Sequence, residues 1–208
     1  FYLQHGAPKA LAASPERLQG MIRRYTTRAP LTETLDEGDA LPGLPGWQVL
    51  YTPGHAQSHL CFYRPKDRVM IAGDHLIAHI SPNALVEPPT MGTGERPKTL
   101  IQYRQSLQKI YDLPLSLTLS GHGSEITNHR QLIDKRFAET EDRANKIQRL
   151  LIERGSMTAY ELTQAIFPKV YEKEFALTMS EIIGHLDLLQ SQNRIETIET
   201  DGVLRYTA

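Results

Sequence analysis

The sequence has 208 residues and one cysteine, Cys61, which excludes an intrachain disulfide framework and favours a reducing, cytoplasmic localisation. No apolar run approaches the roughly 20 residues of a membrane-spanning helix, so no membrane association is expected. Lys and Arg number 23 and Asp and Glu number 24, giving a net charge of -1. Without an excess of positive charge the sequence lacks the signature of polyanion binding, and nucleic acid is not an expected partner.

A β-hairpin is predicted over residues 59–74, because two apolar segments flank a polar turn. Pairing of residue 63 with residue 68 would bring His59, at the start of the hairpin, beside Asp74 at its end. An amphipathic helix follows, and another is predicted earlier in the chain, beginning at Ser14.

Side chains that commonly bind metals stand where predicted strands end. One strand, residues 47–52, is followed by His55, the hairpin ends at Asp74, and a strand over residues 115–120 is followed by His122. Imidazole and carboxylate ligands together suit zinc and similar divalent ions. One such histidine alone is more often an ordinary loop residue, but three strand ends together indicate a metal site. Five of the eight histidines lie in this part of the chain: His55, His59, His75, His79 and His122.

Three motifs resemble the second half of the metallo-β-lactamase fold superfamily, in the order Thr52-Pro53-Gly54-His55, Gly73-Asp74 and Gly121-His122-Gly123. The resemblance implies an α/β fold, as a partial α+β sandwich of the metallo-β-lactamase type. It also implies two divalent metal ions, zinc in the first instance, with manganese or iron as alternatives. His55 would bind the first ion, Asp74 would bridge both, and His122 would bind the second. His59 matches a recurrent histidine that lies near the site without being a ligand.

The family's H-x-H-x-D-H motif, which supplies further ligands to both ions, does not occur in the sequence. Residues 1–6 read as the end of the helix that this motif opens in the family, with Gly6 as the C-terminal cap. Truncation just after the motif is therefore expected, with natural loss as the alternative. The catalytic residues are expected in the missing motif, and the fragment is expected to bind metal weakly and to lack activity. His75 and His79 have no counterpart in the family.

The C-terminal part is predicted to form three helices and a β-hairpin, an order typical of a small winged-helix domain. A capping box at Thr158 starts the second helix, and Asp201-Gly202 is the turn of the hairpin. Domains are accordingly expected at residues 1–138 and 139–208. The third helix, residues 174–192, would enter a DNA groove but has no Lys or Arg, so DNA binding is not expected. Packing on the metal domain, shaping the substrate cleft or forming a homodimer is expected instead.

Three functions remain open. The resemblance implies a metal-dependent hydrolase, in which a metal-activated hydroxide attacks an ester or thioester of a small molecule. An endoribonuclease of the same fold, which also has such a C-terminal tail, is an alternative. It would need a basic track with stacking aromatic residues, for which the candidates are few: Arg96, Lys98, Tyr103 and Arg104. The third function is a metal-free binding or regulatory module.

Overall fold

The structure is a computed structural model that describes residues 1–12, 24, 27, 29–87, 89 and 94–208. The helix predicted from Ser14 lies outside these residues except for Arg24. None of the described helices is long and apolar enough to cross a membrane. The helices and strands, in chain order, are α1 (Lys9–Ala12), β1 (Gln48–Tyr51), β2 (Leu60–Arg64), β3 (Val69–Gly73), α2 (Thr99–Tyr111), β4 (Leu117–Ser120), α3 (His129–Arg154), α4 (Ala159–Ile166), α5 (Phe175–Ser191), β5 (Glu196–Thr200) and β6 (Val203–Thr207).

The larger sheet has the strand order β1-β2-β3-β4. Strands β1 and β2, and β2 and β3, pair antiparallel, whereas β3 and β4 pair parallel. A parallel pair needs a crossover connection, which α2 supplies. Strands β1, β3 and β4 therefore run in the same direction, and the chain leaves all three at the same edge of the sheet.

The hairpin register differs from the predicted one by two residues. Tyr63 pairs with Met70 and Arg64 with Val69. The turn lies one residue later than predicted, since Arg64 is still part of β2 and Arg68 closes the turn in the left-handed region at φ 59°. Because the difference is an even number of residues, each side chain stays on its predicted face of the sheet. The expected proximity of His59 to Asp74 is therefore retained.

Helix α2 covers the sheet with the apolar face that its sequence spacing predicts. Leu100, Tyr103, Leu107 and Ile110 are all buried and belong to one core with Met70 of β3. Burying each such side chain contributes roughly 1.5–3 kcal/mol. This core holds α2 against β3 and so helps to position the edge of the sheet at which β1, β3 and β4 end.

The C-terminal part contains the predicted helices α3, α4 and α5 and the hairpin of β5 and β6. The capping box is formed, with Glu161 N donating to Thr158 Oγ1 at 3.1 Å. Asp201 and Gly202 have φ angles of 53° and 75°, as a type I′ turn requires. A second core surrounds α5. The winged-helix arrangement and the boundary at residue 138 stay predictions, and α3 continues through residue 138 without a break.

Residues 1–6 form the turn that the sequence predicts for a helix C-terminus. Gly6 has φ +82°, Gly6 N donates to Leu3 O at 3.0 Å, and Ala7 N donates to Tyr2 O at 3.1 Å. These two bonds form a Schellman motif. The turn packs on the C-terminal part, because Leu204 N donates to Gln4 O at 2.7 Å.

Candidate metal centre

The three predicted metal ligands meet at one edge of the larger sheet. His55 follows β1, Asp74 follows β3 and His122 follows β4. These strands run in the same direction, so their carboxyl ends lie at the same edge, with β2 between β1 and β3. The topology thus brings together residues that are up to 67 positions apart in the sequence (122 minus 55).

Asp74 lies between the two histidines, with one carboxylate oxygen towards each. His55 Nε2 is 4.0 Å from Asp74 Oδ2, and His122 Nε2 is 3.5 Å from Asp74 Oδ1. The Asp74 side chain is 39% exposed and that of His122 is 71% exposed. The edge is therefore open to solvent and to small molecules. The bridging role that the resemblance implies for Asp74 stays a prediction.

The tautomer of His55 is set by a backbone carbonyl. His55 Nδ1 lies 2.9 Å from the carbonyl oxygen of Asn83. A carbonyl oxygen only accepts hydrogen bonds, so Nδ1 carries the proton and, in the neutral ring, Nε2 is free to act as a ligand. Metal-binding histidines usually have an outer partner of this kind, which fixes the ring and raises its basicity. No sequence pattern indicates Asn83, since the accepting group is part of the backbone.

Two glycines leave room for the side chains at this edge. A Cβ on Gly121 would collide with Asp74 Oδ1 and would lie 3.1 Å from the carbonyl carbon of Gly73. A Cβ on Gly73 would lie 3.1 Å from His59 Nε2, and Gly73 has φ +51°. Gly121 N also donates to Gly73 O at 2.7 Å. The glycines of the G-D and G-H-G motifs therefore let two strand ends and a carboxylate approach closely.

His59 lies behind the three residues and is held by Thr52. Its Nδ1 is 2.9 Å from Thr52 Oγ1, and its ring is 6.2 Å from that of His55. Burial lowers the pKa of His59, and neighbouring His55 lowers it further. A neutral His59 is consistent with a supporting place near the site. That it is not itself a ligand stays a prediction.

The other two histidines of this region occupy different environments. His75 is fully buried, with its ring 5.5 Å from His59 and 4.9 Å from Tyr103. Burial lowers its pKa to about 3, with His59 and His55 adding to the effect. His79 is exposed, and its Nε2 is 3.4 Å from Ser124 Oγ. His75 is therefore a neutral part of the interior beneath the site.

The donor atoms suit divalent ions but form partial ligand sets. Neutral imidazole nitrogens and a two-oxygen carboxylate are ligands that zinc, manganese and iron accept. His55 with Asp74, and His122 with Asp74, each supply two donors. Within the part of the chain that the structure describes, no group of three or more His, Cys, Asp or Glu side chains is placed to hold one ion.

The chain shares its fold with solved structures. A metallo-beta-lactamase family protein from Thermus thermophilus, TTHA1429, has a TM-score of 0.77 at 27% identity, covering 99% of this chain and 62% of that one. A beta-lactamase domain protein from Burkholderia ambifaria has a TM-score of 0.76 at 24% identity, covering 100% and 58%. Both alignments include the C-terminal helices and hairpin, so these elements are part of the shared fold.

Proteins with similar sequences include one named as a metallo-hydrolase and two named as thioesterases. "Probable metallo-hydrolase YqjP" of Bacillus subtilis (strain 168) is 40% identical over 180 residues, 86% of this chain and 56% of that protein. "Atrochrysone carboxyl ACP thioesterase" of Aspergillus fumigatus is 28% identical over 151 residues, 65% of this chain and 44% of that protein. "Thioesterase pkgB" of Emericella nidulans is 28% identical over 104 residues, 50% of this chain and 27% of that protein.

The chain spans about half the length of the first two of these relatives. Residues 2–122, which include all three candidate ligands, match the family described as the metallo-beta-lactamase superfamily. The motifs at the sheet edge, the fold and the relatives agree, and the chain belongs to the metallo-beta-lactamase superfamily.

Proposed function

We propose that the protein is a metal-dependent hydrolase of esters or thioesters of small molecules. One observation carries the proposal: His55 and His122 approach opposite carboxylate oxygens of Asp74 at an open sheet edge. Two divalent ions, zinc in the first instance, would be held by His55, Asp74 and His122. Such ions, when bound, polarise a carbonyl oxygen and lower the pKa of water.

The residues of the chain have separate roles in this proposal. Asp74, which has one carboxylate oxygen towards each histidine, would supply negative charge to the bound ions. The Asn83 carbonyl keeps His55 in the tautomer whose Nε2 faces Asp74. His59, neutral because burial lowers its pKa, adds no positive charge beside the metal positions. The open edge leaves space for an acyl group next to the carboxylate.

Thioesters are the favoured substrate class because two fungal relatives are named as thioesterases. The fold alone does not select a substrate, since one fold can support several chemistries. The near-neutral net charge of -1 also suits a small molecule better than a polyanion.

We also propose that the 208-residue chain by itself binds metal weakly and does not turn over substrate. The H-x-H-x-D-H motif does not occur in it. The three candidate ligands provide two donors at each metal position, whereas zinc sites in proteins have three or four protein ligands. Binding of two ions in stoichiometric amounts after dialysis would contradict this proposal.

The endoribonuclease alternative has less support. The third helix of a winged-helix domain would have to enter a groove, but α5 is largely built into the interior. Its residues Met179, Ile182, Ile183, Leu186 and Leu189 are at most 1% exposed. A helix buried in this way is suited to packing on the metal domain and leaves little surface for contact with nucleic acid. We therefore propose that residues 139–208 support the site and do not bind nucleic acid.

The test compares turnover of two substrates by the 208-residue chain and by the protein as its native source makes it, the native polypeptide. Each is loaded with zinc or manganese and given an acyl thioester of N-acetylcysteamine or a single-stranded oligoribonucleotide. The native polypeptide is expected to hydrolyse the thioester only, and its Asp74→Ala variant is expected to be inactive. Cleavage of the RNA alone would establish the endoribonuclease. Turnover of neither substrate would favour the metal-free module.

A further inference from the structure

A short loop, residues 83–87, connects the candidate ligand His55 to the C-terminal part of the chain. On one side the Asn83 carbonyl accepts from His55 Nδ1 at 2.9 Å. The loop makes a second hydrogen bond to the turn after β1, in which Gln57 N donates to Glu87 Oε1 at 2.9 Å. The position of the His55 ring therefore depends on where this loop lies.

The opposite side of the loop is attached to α5. Asn83 Nδ2 donates to the Leu177 carbonyl at 3.0 Å, and Val86 N donates to Ser180 Oγ at 3.1 Å. Ser180 is 2% exposed. Both bonds span 94 positions of the sequence. They add to apolar packing, because Ala84 shares a core with Leu188 of α5 and Val86 packs against the core around α5.

Helix α5 is a firm support for the loop. Its residues from Thr178 to Leu189 are buried except for Glu181, and it packs on α2, α3 and α4. From the other side, Thr99 Oγ1 at the start of α2 donates to the Ala84 carbonyl at 3.2 Å. The loop that carries the Asn83 carbonyl is thus held by hydrogen bonds with two packed helices, α2 and α5.

We propose that Asn83 is a positioning residue for the metal ligand His55, and that α5 controls metal affinity at the sheet edge through the loop 83–87. The inference rests on the proposed metal-dependent function. The carbonyl holds the Nδ1 proton, and the Asn83 side chain holds the carbonyl in place through Leu177. When an outer partner of a metal-binding histidine is lost, metal affinity typically falls about 10–100-fold. Loosening the loop acts in the same way, because the ring then samples other orientations and the other tautomer.

The first test reads the His55 tautomer in the metal-free chain by ¹⁵N NMR of the imidazole nitrogens. The parent chain is expected to show the proton on Nδ1. In Asn83→Ala, which removes the bond to Leu177 and keeps the backbone carbonyl, a mixture of tautomers is expected. Asn128→Ala, at an exposed position before α3, is the matched control and is expected to show the parent signals. Parent signals in Asn83→Ala would overturn the proposal.

The second test measures zinc affinity by competition with a chelator, in the native polypeptide. Asn83→Ala is expected to weaken binding about 10–100-fold, as loss of an outer partner does. Ser180→Ala removes the hydroxyl of α5 that accepts from Val86 N, so it is also expected to weaken zinc binding. Ser180→Thr retains the hydroxyl and is expected to keep the parent affinity. Unchanged affinity in both alanine variants would overturn the proposal. If the tautomer changes as expected but the parent binds no zinc, the proposed function fails and the positioning role of Asn83 stands.

Discussion

At the scale of single residues, the site depends on positions where a side chain is small or where a proton is fixed. Gly121 leaves the space that Asp74 Oδ1 occupies, and the Asn83 carbonyl fixes the proton of His55. The candidate ligands His55 and Asp74 could be proposed from the sequence, because each belongs to a motif at a strand end. Asn83 could not, since its contribution is a backbone oxygen that only the folded loop brings near.

Replacing Gly121 by alanine tests the close approach of the strand ends. The new Cβ would collide with Asp74 Oδ1, so the carboxylate must move away from His122. We expect zinc affinity to fall at least about 10-fold, comparable to the loss of an outer partner. Gly38→Ala is the control. Nothing lies within 4 Å of its Cβ position, so the alanine causes no collision, and the only cost is the strain of a positive φ of +87°. Equal zinc affinity in both variants would contradict the role of Gly121.

Buried histidines away from the site predict how stability depends on pH. Burial lowers the pKa of His5 from 6.5 to about 4, with Arg96 contributing, and burial also lowers the pKa of His185. Between these pH values the unfolded chain binds more protons than the folded chain, so the free energy of unfolding decreases as the pH falls from 6.5 towards 4.

The measurement is urea denaturation across this pH range. Each pKa unit is worth about 1.4 kcal/mol, so the contribution of His5 is on the order of 3 kcal/mol. His5→Gln does not titrate and is expected to show a shallower decrease than the parent chain. A free energy of unfolding with the same pH dependence in both proteins would show that His5 is not the cause.

At the scale of helices and strands, apolar spacing and turn chemistry predict most of what is observed. The buried face of α2, the capping box of α4 and the turn between β5 and β6 all follow from local sequence. The hairpin register does not, because it depends on whether Arg64 ends the strand or begins the turn. Local sequence leaves both possibilities open, and the ion pair of Arg64 with Asp67 at 2.5 Å belongs to the observed turn.

The capping box gives an element-scale prediction for α4. Thr158 Oγ1 accepts from Glu161 N at 3.1 Å, and Thr158 N donates to Glu161 Oε2 at 2.7 Å. Thr158→Ala is expected to lower the free energy of unfolding by about 1 kcal/mol, the usual cost of losing an N-cap. Thr127→Ala, at an exposed position, is the control and is expected to remain within about 0.5 kcal/mol of the parent. Equal free energies of unfolding for Thr158→Ala and the parent would contradict the assignment.

At the scale of the whole molecule, several contacts join the sheet and α2 to the C-terminal helices. Asp187 of α5 is 4% exposed and pairs with Arg96 and Lys98 at 2.7 and 2.8 Å. The loop 83–87 adds hydrogen bonds from the site to the same helix. The predicted division at residue 138 rests on a change in sequence pattern, and these long-range contacts could not be predicted from that pattern. They depend on how the cores pack together.

The central claim is that Asp74 is shared by two metal positions at the sheet edge, and zinc affinity tests it most directly. Zinc is titrated against a fluorescent chelator with the native polypeptide, its Asp74→Asn variant and, as control, Asp134→Asn at an exposed position on α3. Asp74→Asn preserves the shape of the side chain and removes its charge. Its zinc affinity is expected to fall by more than the roughly 10–100-fold of an outer partner, while the control keeps parent affinity. Equal zinc affinity of Asp74→Asn and the parent would contradict the claim.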